Sequence, residues 1–269
     1  MAGGLTYQIL NKKKKIKIAF AASRDLGHIL ISWIKKNEEL HQIEIVGGVA
    51  VNYKNWWDDK IEKLYLSKNI KPFKCIKELI EQTNPDLIFS FNYWKIIPKK
   101  LFDKVPNGII NIHHSYKLRF RGRYSTSWAI VHARKDNNWW HGTSIHYINE
   151  NLDEGSIILT EKIPILKNDT SETLFKKVQD LSIKLFKENF SFIIDNSNKK
   201  IIKNDNKYYF YDSGSKNNII LADNVTKEEI LDYVRAWTFK DRALPVVKYR
   251  GKAVSLSILN KQVSNLKDE

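Results

Sequence analysis

Short apolar segments that alternate with amphipathic stretches constrain the fold of this chain more than any other feature. Four such segments read as buried strands, and they lie at Ile16–Ala22, Ile43–Ala50, Asp86–Phe91 and Ile109–His113. Stretches with apolar residues at helical spacing separate them, as in Leu26–Lys36. Apolar strands connected by helices are typical of a parallel sheet covered on both faces. We therefore predict an α/β fold with a Rossmann-like, doubly wound and mostly parallel sheet.

The second half of the chain contains strands that alternate between apolar and polar residues, and helices with capping signals. The strand segments are Thr143–Ile148, Ile157–Ile165, Lys207–Tyr211 and Ile219–Ala222, followed by a hairpin of Val246–Tyr249 and Ala253–Leu259 that turns at Arg250 and Gly251. Helices are expected at Asp58–Asn69, Ile76–Gln82 and Ser125–Lys135, and in two capped segments that begin near Asp169 and Thr226. Near residue 200 the long amphipathic segments give way to short strand-like segments separated by turns. We expect a main domain at 1–198 and a small α+β C-terminal region at 199–269 that ends in the hairpin.

Composition narrows the class of protein. Of the 269 residues, 42% are hydrophobic, and the single cysteine, Cys75, read as a buried apolar thiol, excludes a disulfide framework. The formal net charge of +15 indicates an anionic partner, with nucleic acid, a nucleotide and an anionic membrane all open. The lysines are spread along the chain among abundant Asn and Ile, which favours a compositional bias over a nucleic-acid surface. One cysteine and scattered histidines predict no metal site.

The N-terminal segment resembles an export signal only in part. Lys12 to Lys15 are basic, but the apolar run that follows is short, contains Lys17 and is succeeded by Arg24 and Asp25. No segment reaches the ~18 apolar residues of a membrane span. We expect a cytoplasmic protein that does not bind a membrane.

The turn after the first strand has no phosphate-binding fingerprint. Ala22–Gly27 contains neither G-x-G-x-x-G nor a P-loop, so the sheet is not expected to hold a dinucleotide in the usual way. Ligands of doubly wound sheets still bind at the carboxyl ends of the strands. The strand that ends at His113 therefore marks the expected position of a site.

Two polar residues, Asn111 and His113, end that strand and project from the same side of it. An amide beside an imidazole suits an oxyanion donor next to a general acid–base, although a polar strand end that caps the following loop is the alternative. Asp153 lies in the polar turn Asn151–Ser156. Its carboxylate could hold the tautomer of His113, or it could belong to an ordinary turn.

The sequence resembles the folate-dependent formyltransferases in two segments. Their first pattern, N-x-H-P-S-L-L-P-x-x-R-G, is matched by Asn111, His113, Ser115 and Arg121-Gly122. Their second pattern, L-D-x-G-x-I, is matched by Leu152-Asp153-x-Gly155. The resemblance covers residues 16–195 and implies that 1–198 is the catalytic domain of an N-formyltransferase. It implies 10-formyltetrahydrofolate as the formyl donor, with no metal. It also implies that Asn111 stabilises an oxyanion, that His113 takes or relays the amine proton, and that Asp153 orients His113.

The resemblance further implies two sets of binding residues. The segment after the third strand would line the pterin pocket and the turn around Asp153 would face it, so the expected cofactor-binding residues are Phe91, Asn92, Tyr93, Ile97, Asn149, Asp153 and Glu154. The expected substrate-binding residues are Ser115, Arg121, Arg123 and Tyr124. The arginines suit forked contacts to a diphosphate, and a solvated basic loop is the alternative reading.

The chain departs from the family pattern at His114 and Leu118, each of which replaces a proline. We expect the loop to take a different path, with His114 as a loop residue that reaches solvent or substrate and is not a second base. Arg235, in a helix end that resembles one in nucleotide-sugar formyltransferases, is expected to close the domain junction, with substrate contact as the alternative.

The acceptor is predicted by the same resemblance. Length, the R-G-R loop and the short tail favour a nucleotide-sugar N-formyltransferase that acts on a dTDP-linked 3-amino or 4-amino dideoxy sugar, for a surface glycan such as the O-antigen of lipopolysaccharide. A homodimer through the apolar hairpin is also expected, and no nucleic-acid partner. Methionyl-tRNA formyltransferases usually carry a larger C-terminal barrel, but such an enzyme remains an alternative. A non-catalytic nucleotide- or RNA-binding module on the same fold is the third reading.

Overall fold

The structure is a computed structural model that describes residues 14–51, 60–195, 202, 208–240 and 242–264. Its strands are β1 Ile16–Ala22, β2 Ile43–Ala50, β3 Pro72–Phe73, β4 Leu87–Phe91, β5 Ile109–His113, β6 Phe120–Gly122, β7 Trp140–Tyr147, β8 Ile157–Pro164, β9 Tyr209–Tyr211, β10 Val246–Tyr249 and β11 Lys252–Ser255. Its α-helices are α1 Arg24–Lys36, α2 Lys60–Ser67, α3 Ile76–Thr83, α4 Lys99–Phe102, α5 Ser125–Lys135, α6 Ser171–Glu188, α7 Phe190–Ile194, α8 Lys227–Trp237 and α9 Leu256–Ser264.

Seven strands form one sheet in the order β3-β2-β1-β4-β5-β7-β8. The strands from β3 to β5 pair in parallel, whereas β7 pairs antiparallel with both β5 and β8. The chain first builds outward from β1 to β3 and then returns to place β4 on the other side of β1. This topology confirms the predicted Rossmann-like, mostly parallel sheet, and ligands of such sheets bind where the strand order reverses.

Alternation along the strands assigns each side chain to one face of the sheet. Phe89 and Ile110 face a core that includes residues of α1, α6 and α7, while Ile88 and Ile109 face a second core with residues of α3 and α4. Because Asn111 follows Ile109 by two residues, it projects from the second face, as does His113. Both faces of the sheet are therefore covered, and the polar end of β5 lies on the face of α3 and α4.

The residues after 208 pack on the second half of the main domain. Trp237 and Val247 share a buried core with Trp128 of α5 and Leu174 of α6, and β9 pairs in parallel with β6. The predicted boundary at residue 198 falls outside the described residues, so the division into two domains stays a prediction. Among the described residues, no helix has the length and hydropathy needed to cross a membrane.

Several sequence predictions are wrong in detail. The predicted strand Ala253–Leu259 is too long, because β11 stops at Ser255 and α9 follows. Ile219–Ala222 forms only an isolated bridge from Ile220 to Lys248. Helix α6 is capped by Thr170, in a capping box with Thr173, because the side chain of Asp169 accepts the backbone N–H of Leu166. The thiol of Cys75 is exposed. The capping box of Thr226 and Glu229 is confirmed.

Candidate active site

Asn111, His113 and Asp153 converge at the end of β5. The Nδ1 atom of His113 lies 3.5 Å from Oδ2 of Asp153, and both side chains are about nine-tenths buried. The Nε2 atom of His113 donates to the carbonyl oxygen of Phe120 at 2.6 Å. The imidazole thus lies between a carboxylate and a carbonyl, an arrangement that restrains the orientation of its ring. The pairing expected from the sequence is present, and the catalytic roles remain predictions.

The turn that carries Asp153 is folded tightly over the sheet. Asp153 adopts a left-handed backbone conformation with φ of 50°, and an added Cβ at Gly155 would lie 1.8 Å from the carbonyl oxygen of Tyr147. Only glycine allows such a close approach of two backbone segments. The turn therefore returns to β7 directly after Asp153, and this return places the carboxylate above β5.

Strand β6 is bound directly to this turn. The backbone N–H of Gly122 donates to Oδ2 of Asp153 at 2.9 Å. Gly122 has φ of +81°, and a Cβ at this position would lie 2.1 Å from the carbonyl oxygen of Tyr211 in β9. Gly122 therefore lies between the carboxylate of Asp153 and strand β9, and a larger residue does not fit there.

The sequence reading missed His146, which lies beside Asn111 in the register of β7 and β5. The side chain of His146 is buried, its Nδ1 donates to the carbonyl oxygen of Tyr147 at 2.8 Å, and its Nε2 accepts from Nδ2 of Asn111 at 3.2 Å. This pattern defines the tautomer of the ring and the orientation of the Asn111 amide. A histidine in the alternating segment TSIHYI was the signal in the sequence, but its partner depends on the strand register.

Burial keeps three histidines near the site neutral. It lowers the pKa of His114 and of His141 to about 3, with a smaller effect of neighbouring positive charge, and lowers the pKa of His146 to about 4. Nearby Asp153 opposes the shift at His146 without reversing it. Neutral imidazoles act as polar partners inside the fold, and they carry no charge at neutral pH.

His114 lies in the loop after β5, as expected, but its side chain does not reach solvent. Its side chain is buried and packs against Phe175 of α6, with 5.0 Å between the ring centroids. The expectation that His114 reaches solvent is wrong, because the loop turns this side chain under α6.

The predicted binding arginines differ in their surroundings. Arg121 is buried and forms a 2.6 Å ion pair with Glu154, and its guanidinium lies 3.6 Å from the ring centroid of Tyr208. Arg121 was predicted to bind the substrate and Glu154 the cofactor, yet here they bind each other. Arg123 is exposed, and Tyr124 packs edge-on against Trp237 at the start of α5. Arg123 is therefore the better placed of the two arginines to meet an anion from solvent.

Two further predicted contacts are made inside the protein. Ser115 is fully buried, and its hydroxyl accepts the backbone N–H of Phe120 at 2.8 Å, so it shapes the loop after β5. Phe91 is also fully buried among aromatic rings, and its carbonyl oxygen accepts the N–H of Ser23. Neither side chain faces solvent, and the ligand contacts predicted for these two residues stay predictions.

The remaining predicted cofactor residues lie at the carboxyl end of β4 or in the turn opposite it. Asn92 has φ of 55°, and its buried Nδ2 atom has no acceptor among the described residues. Tyr93 is partly buried, which raises its pKa, and Ile97 is buried. Asn149 is half-buried and accepts the N–H of Asn151. An unsatisfied buried amide beside an apolar wall fits a ligand that brings its own hydrogen-bond acceptor.

The side chain of Arg235 connects two helices of the fold. It pairs with Asp232 and donates to the backbone carbonyl groups of Leu166 and Asp169, which joins α8 to the start of α6. The sequence interpretation of Arg235 as a closure of the domain junction agrees with these contacts. Within the described residues, no three His, Cys, Asp or Glu side chains converge as a metal site would require.

Comparison with known proteins identifies the family. The sequence profile of the formyl transferase family matches residues 51–189, which is more than half of the chain. This chain belongs to the formyl transferase family. The matched segment contains Asn111, His113 and Asp153, so the cluster at the end of β5 lies inside the formyl transferase domain.

The curated relatives of this chain include longer proteins. The bifunctional polymyxin resistance protein ArnA of Wigglesworthia glossinidia brevipalpis is 28% identical over 233 residues, which is 83% of this chain and 32% of that protein. Methionyl-tRNA formyltransferase of Dictyoglomus turgidum is 28% identical over 209 residues, which is 75% of this chain and 65% of that protein. The chain thus spans between about a third and two thirds of the length of these relatives.

A solved structure has the same fold over nearly the whole chain. The crystal structure of WlaRD, a sugar 3N-formyl transferase in the presence of dTDP and 5-N-formyl-THF, superposes with a TM-score of 0.69 at 24% identity. The superposition covers 90% of this chain and 85% of WlaRD. The similarity of fold therefore extends past the segment that the family profile matches.

Proposed function

We propose that this chain transfers a formyl group from 10-formyltetrahydrofolate to the amino group of a dTDP-linked 3-amino or 4-amino dideoxy sugar. The observation that carries the proposal is the geometry at the end of β5, where an amide, an imidazole and a carboxylate converge at the carboxyl edge of the sheet. Support for the sugar class comes from the fold of WlaRD, which is similar over 90% of this chain.

Asn111 is suited to stabilise the oxyanion that forms when an amine attacks a formyl carbon. One N–H of its amide is donated to Nε2 of His146 at 3.2 Å. An amide nitrogen has two N–H groups, and the second has no acceptor among the described residues. A donor held in this way can bind a developing negative charge without reorganising, which is the basis of oxyanion stabilisation.

His113 is suited to take the proton that the attacking amine loses. A general base must have a nitrogen within hydrogen-bond reach of the proton, and its ring must be oriented. Asp153 lies 3.5 Å from Nδ1 and favours the tautomer with its single proton there. In that tautomer Nε2 carries no proton, gives up the bond to Phe120 and accepts the proton that the attacking amine loses. The same ring can then return a proton to the departing nitrogen of the folate.

The folate would be held at the carboxyl end of β4 and supply the electrophilic formyl carbon. Asn92, Tyr93, Ile97, Asn149 and the turn of Asp153 are the residues that would hold it. The buried Nδ2 atom of Asn92 without an acceptor among the described residues is the feature of this wall that fits such a ligand. Tyr93 and Ile97 provide apolar surface for a pterin ring.

Arg123 is the predicted contact to the diphosphate of the acceptor. Its side chain is exposed and follows Gly122, whose N–H is bound to Asp153. We propose that the product enters a surface glycan, and that the active form is a cytoplasmic homodimer.

A methionyl-tRNA acceptor is the second candidate, favoured by the methionyl-tRNA formyltransferases among the relatives and by the net charge of +15. The test is incubation of the protein with formyl donor and a panel of dTDP- and UDP-linked amino sugars and methionyl-tRNA, with products followed by mass. We expect a mass increase of one formyl group on an amino sugar. Formylation of the tRNA alone would exclude the sugar proposal, and no product with any amine would favour a binding module.

A further inference from the structure

A basic cavity lies next to the candidate active site, on the outer side of the loop that follows β5. Its volume is about 340 Å³. Three aromatic side chains and three cationic side chains line most of it, namely Tyr116, Phe120, Trp140, Lys117, Arg119 and Lys162. Its lining contains none of the predicted catalytic or ligand-binding residues.

The loop path that forms the cavity depends on a backbone conformation that proline cannot adopt. Lys117 and Leu118 have φ of 49° and 54°, in the left-handed region. Proline holds φ near −65°, so the leucine at 118 permits a path that a proline would prevent. The loop is held in this path by the N–H of Lys117, which donates to Thr160 of β8, and by Ser144 of β7, which donates to the carbonyl oxygen of Ser115.

The cavity carries excess positive charge. No residue that lines it has a carboxylate, and Arg119 is paired outside the cavity with Asp136 at 2.7 Å. The Nζ atom of Lys162 lies 4.4 Å from the ring centroid of Trp140 and 5.7 Å from that of Tyr116. Lys162 forms no ion pair with any residue that the structure describes. The ammonium group of Lys162 contacts aromatic rings and no carboxylate among the described residues, so it can bind an anion.

An aromatic surface is available beside this charge. Trp140 is 46% exposed although it starts a strand of the central sheet. Base–aromatic stacking is a common way to bind a nucleobase, because every base has a flat π-face. An exposed indole with an ammonium group above it therefore combines the two features that a nucleoside phosphate requires.

The cavity lies on the same sheet face as the candidate catalytic residues. His113 pairs with Ser144, and Trp140 follows the same alternation along β7, while Lys162 pairs with Gly142. Four residues of a strand span roughly 13 Å. The cavity is therefore close to His113, with the loop from Ser115 to Phe120 between the two.

We propose that this cavity binds a nucleoside diphosphate, with its base against Trp140 and its phosphates at Lys162 and Lys117. The ligand can come from two sources with the same chemistry. One is the nucleotide part of the sugar acceptor, in which case Lys162 and Lys117 hold its diphosphate in place of Arg123, and that source rests on the proposed function. The other is a free nucleotide, whose binding does not require formyl transfer at all.

The test is calorimetric titration of the full chain with dTDP, with inorganic pyrophosphate and with thymidine. We expect dTDP to bind more tightly than either part. Lys162→Gln removes the charge without altering the surface otherwise, and Trp140→Ala removes the ring. Each should weaken dTDP binding about tenfold or more, since a charge-assisted contact or a stacked base is lost. Lys77→Gln, which removes an exposed lysine of α3, is the matched control and should bind dTDP as the native chain does.

The outcomes separate the proposal from its alternatives. If dTDP does not bind, or if Lys162→Gln and Trp140→Ala both bind it as tightly as Lys77→Gln does, the proposal is wrong. Steady-state kinetics with the sugar acceptor identify the source of the ligand. A raised acceptor KM with unchanged kcat assigns the cavity to the acceptor, and an unchanged KM with weakened dTDP binding assigns it to a free nucleotide. Because titration needs no turnover, dTDP binding without any formyl transfer would contradict only the proposed function.

Discussion

Strands β4 and β7 are both largely buried in the same sheet, but they bury different kinds of side chain. Every residue of β4 is buried, and its phenylalanines pack against Phe186 and Phe190. The buried residues of β7 include His141, Thr143, Ser144 and His146. The difference shows that burial alone does not define a core in this protein.

The polar strand is stable because each buried polar group has a partner. His141 contacts Thr126, Thr143 and Ser144 donate to backbone carbonyl groups of the β5 end, and His146 bonds Asn111. A buried polar group without a partner costs about 1–3 kcal/mol. The partners of β7 come from β5, from the loop after it and from α5, so the candidate active site and the stability of this edge depend on the same contacts.

The largest expected effect comes from the polar end of β5, beside β7. His113→Gln should reduce kcat of formyl transfer by a factor of about 10²–10⁴, because a general base is lost while the strand remains. Circular dichroism should show an unchanged fold. His41→Gln, which lies against Phe190 and Trp33 on the other face, should keep full activity. Equal activity of the two variants would contradict the assignment of His113.

A substitution in the apolar strand β4 should instead lower stability and leave kcat unchanged. Phe89→Ala removes a fully buried ring that contacts Phe91, Phe186 and Phe190, and it should lower the free energy of unfolding by about 3–5 kcal/mol. Urea denaturation measures this change. The folded fraction should retain native kcat, because Phe89 projects from the face opposite Asn111. A loss of kcat in folded protein would show that the two faces are coupled.

Gly122→Ala tests how strongly the candidate active site depends on strand β9. The new Cβ would meet the carbonyl oxygen of Tyr211 at a position with positive φ, so we expect a loss of about 1–3 kcal/mol in unfolding free energy. Because the N–H of Gly122 is bound to Asp153, kcat should fall too. Gly251→Ala, which has a similar φ and open space around it, is the control. Native kcat in folded Gly122→Ala would contradict the coupling.

Acid should destabilise the fold through the three buried histidines in β7 and in the loop after β5. His114 and His141 have a pKa of about 3 and His146 of about 4 in the fold, against 6.5 when unfolded. Between about pH 4 and 6.5 the unfolded chain binds more protons, so stability falls as pH falls, by up to about 1 kcal/mol per pH unit for each histidine. Urea denaturation from about pH 7 to 5 measures the slope. His146→Gln should make the slope shallower, and a slope equal to that of the native chain would contradict this assignment.

The sequence predicted the parts of this molecule that depend on local periodicity. The strands at Ile16–Ala22, Ile43–Ala50 and Ile109–His113 and helix Ser125–Lys135 have the predicted bounds. Asn111, His113 and Asp153 were found because two sit on one strand and the third matches a spacing pattern. Helix α9 was missed because its apolar residues continue those of the preceding strand, and periodicity over so few residues does not separate the two.

By itself, the sequence determined the α/β sheet, the polar end of β5 and the family, since alternation and residue spacing are properties of the chain alone. The tertiary structure decided that His146 holds Asn111, that Glu154 neutralises Arg121, and that β9 lies against Gly122. These contacts join residues far apart in the chain, and their existence depends on sheet register and on left-handed turns at Leu118 and Asp153. A one-residue change of register reverses which side chains face each other, so no local pattern could have specified them.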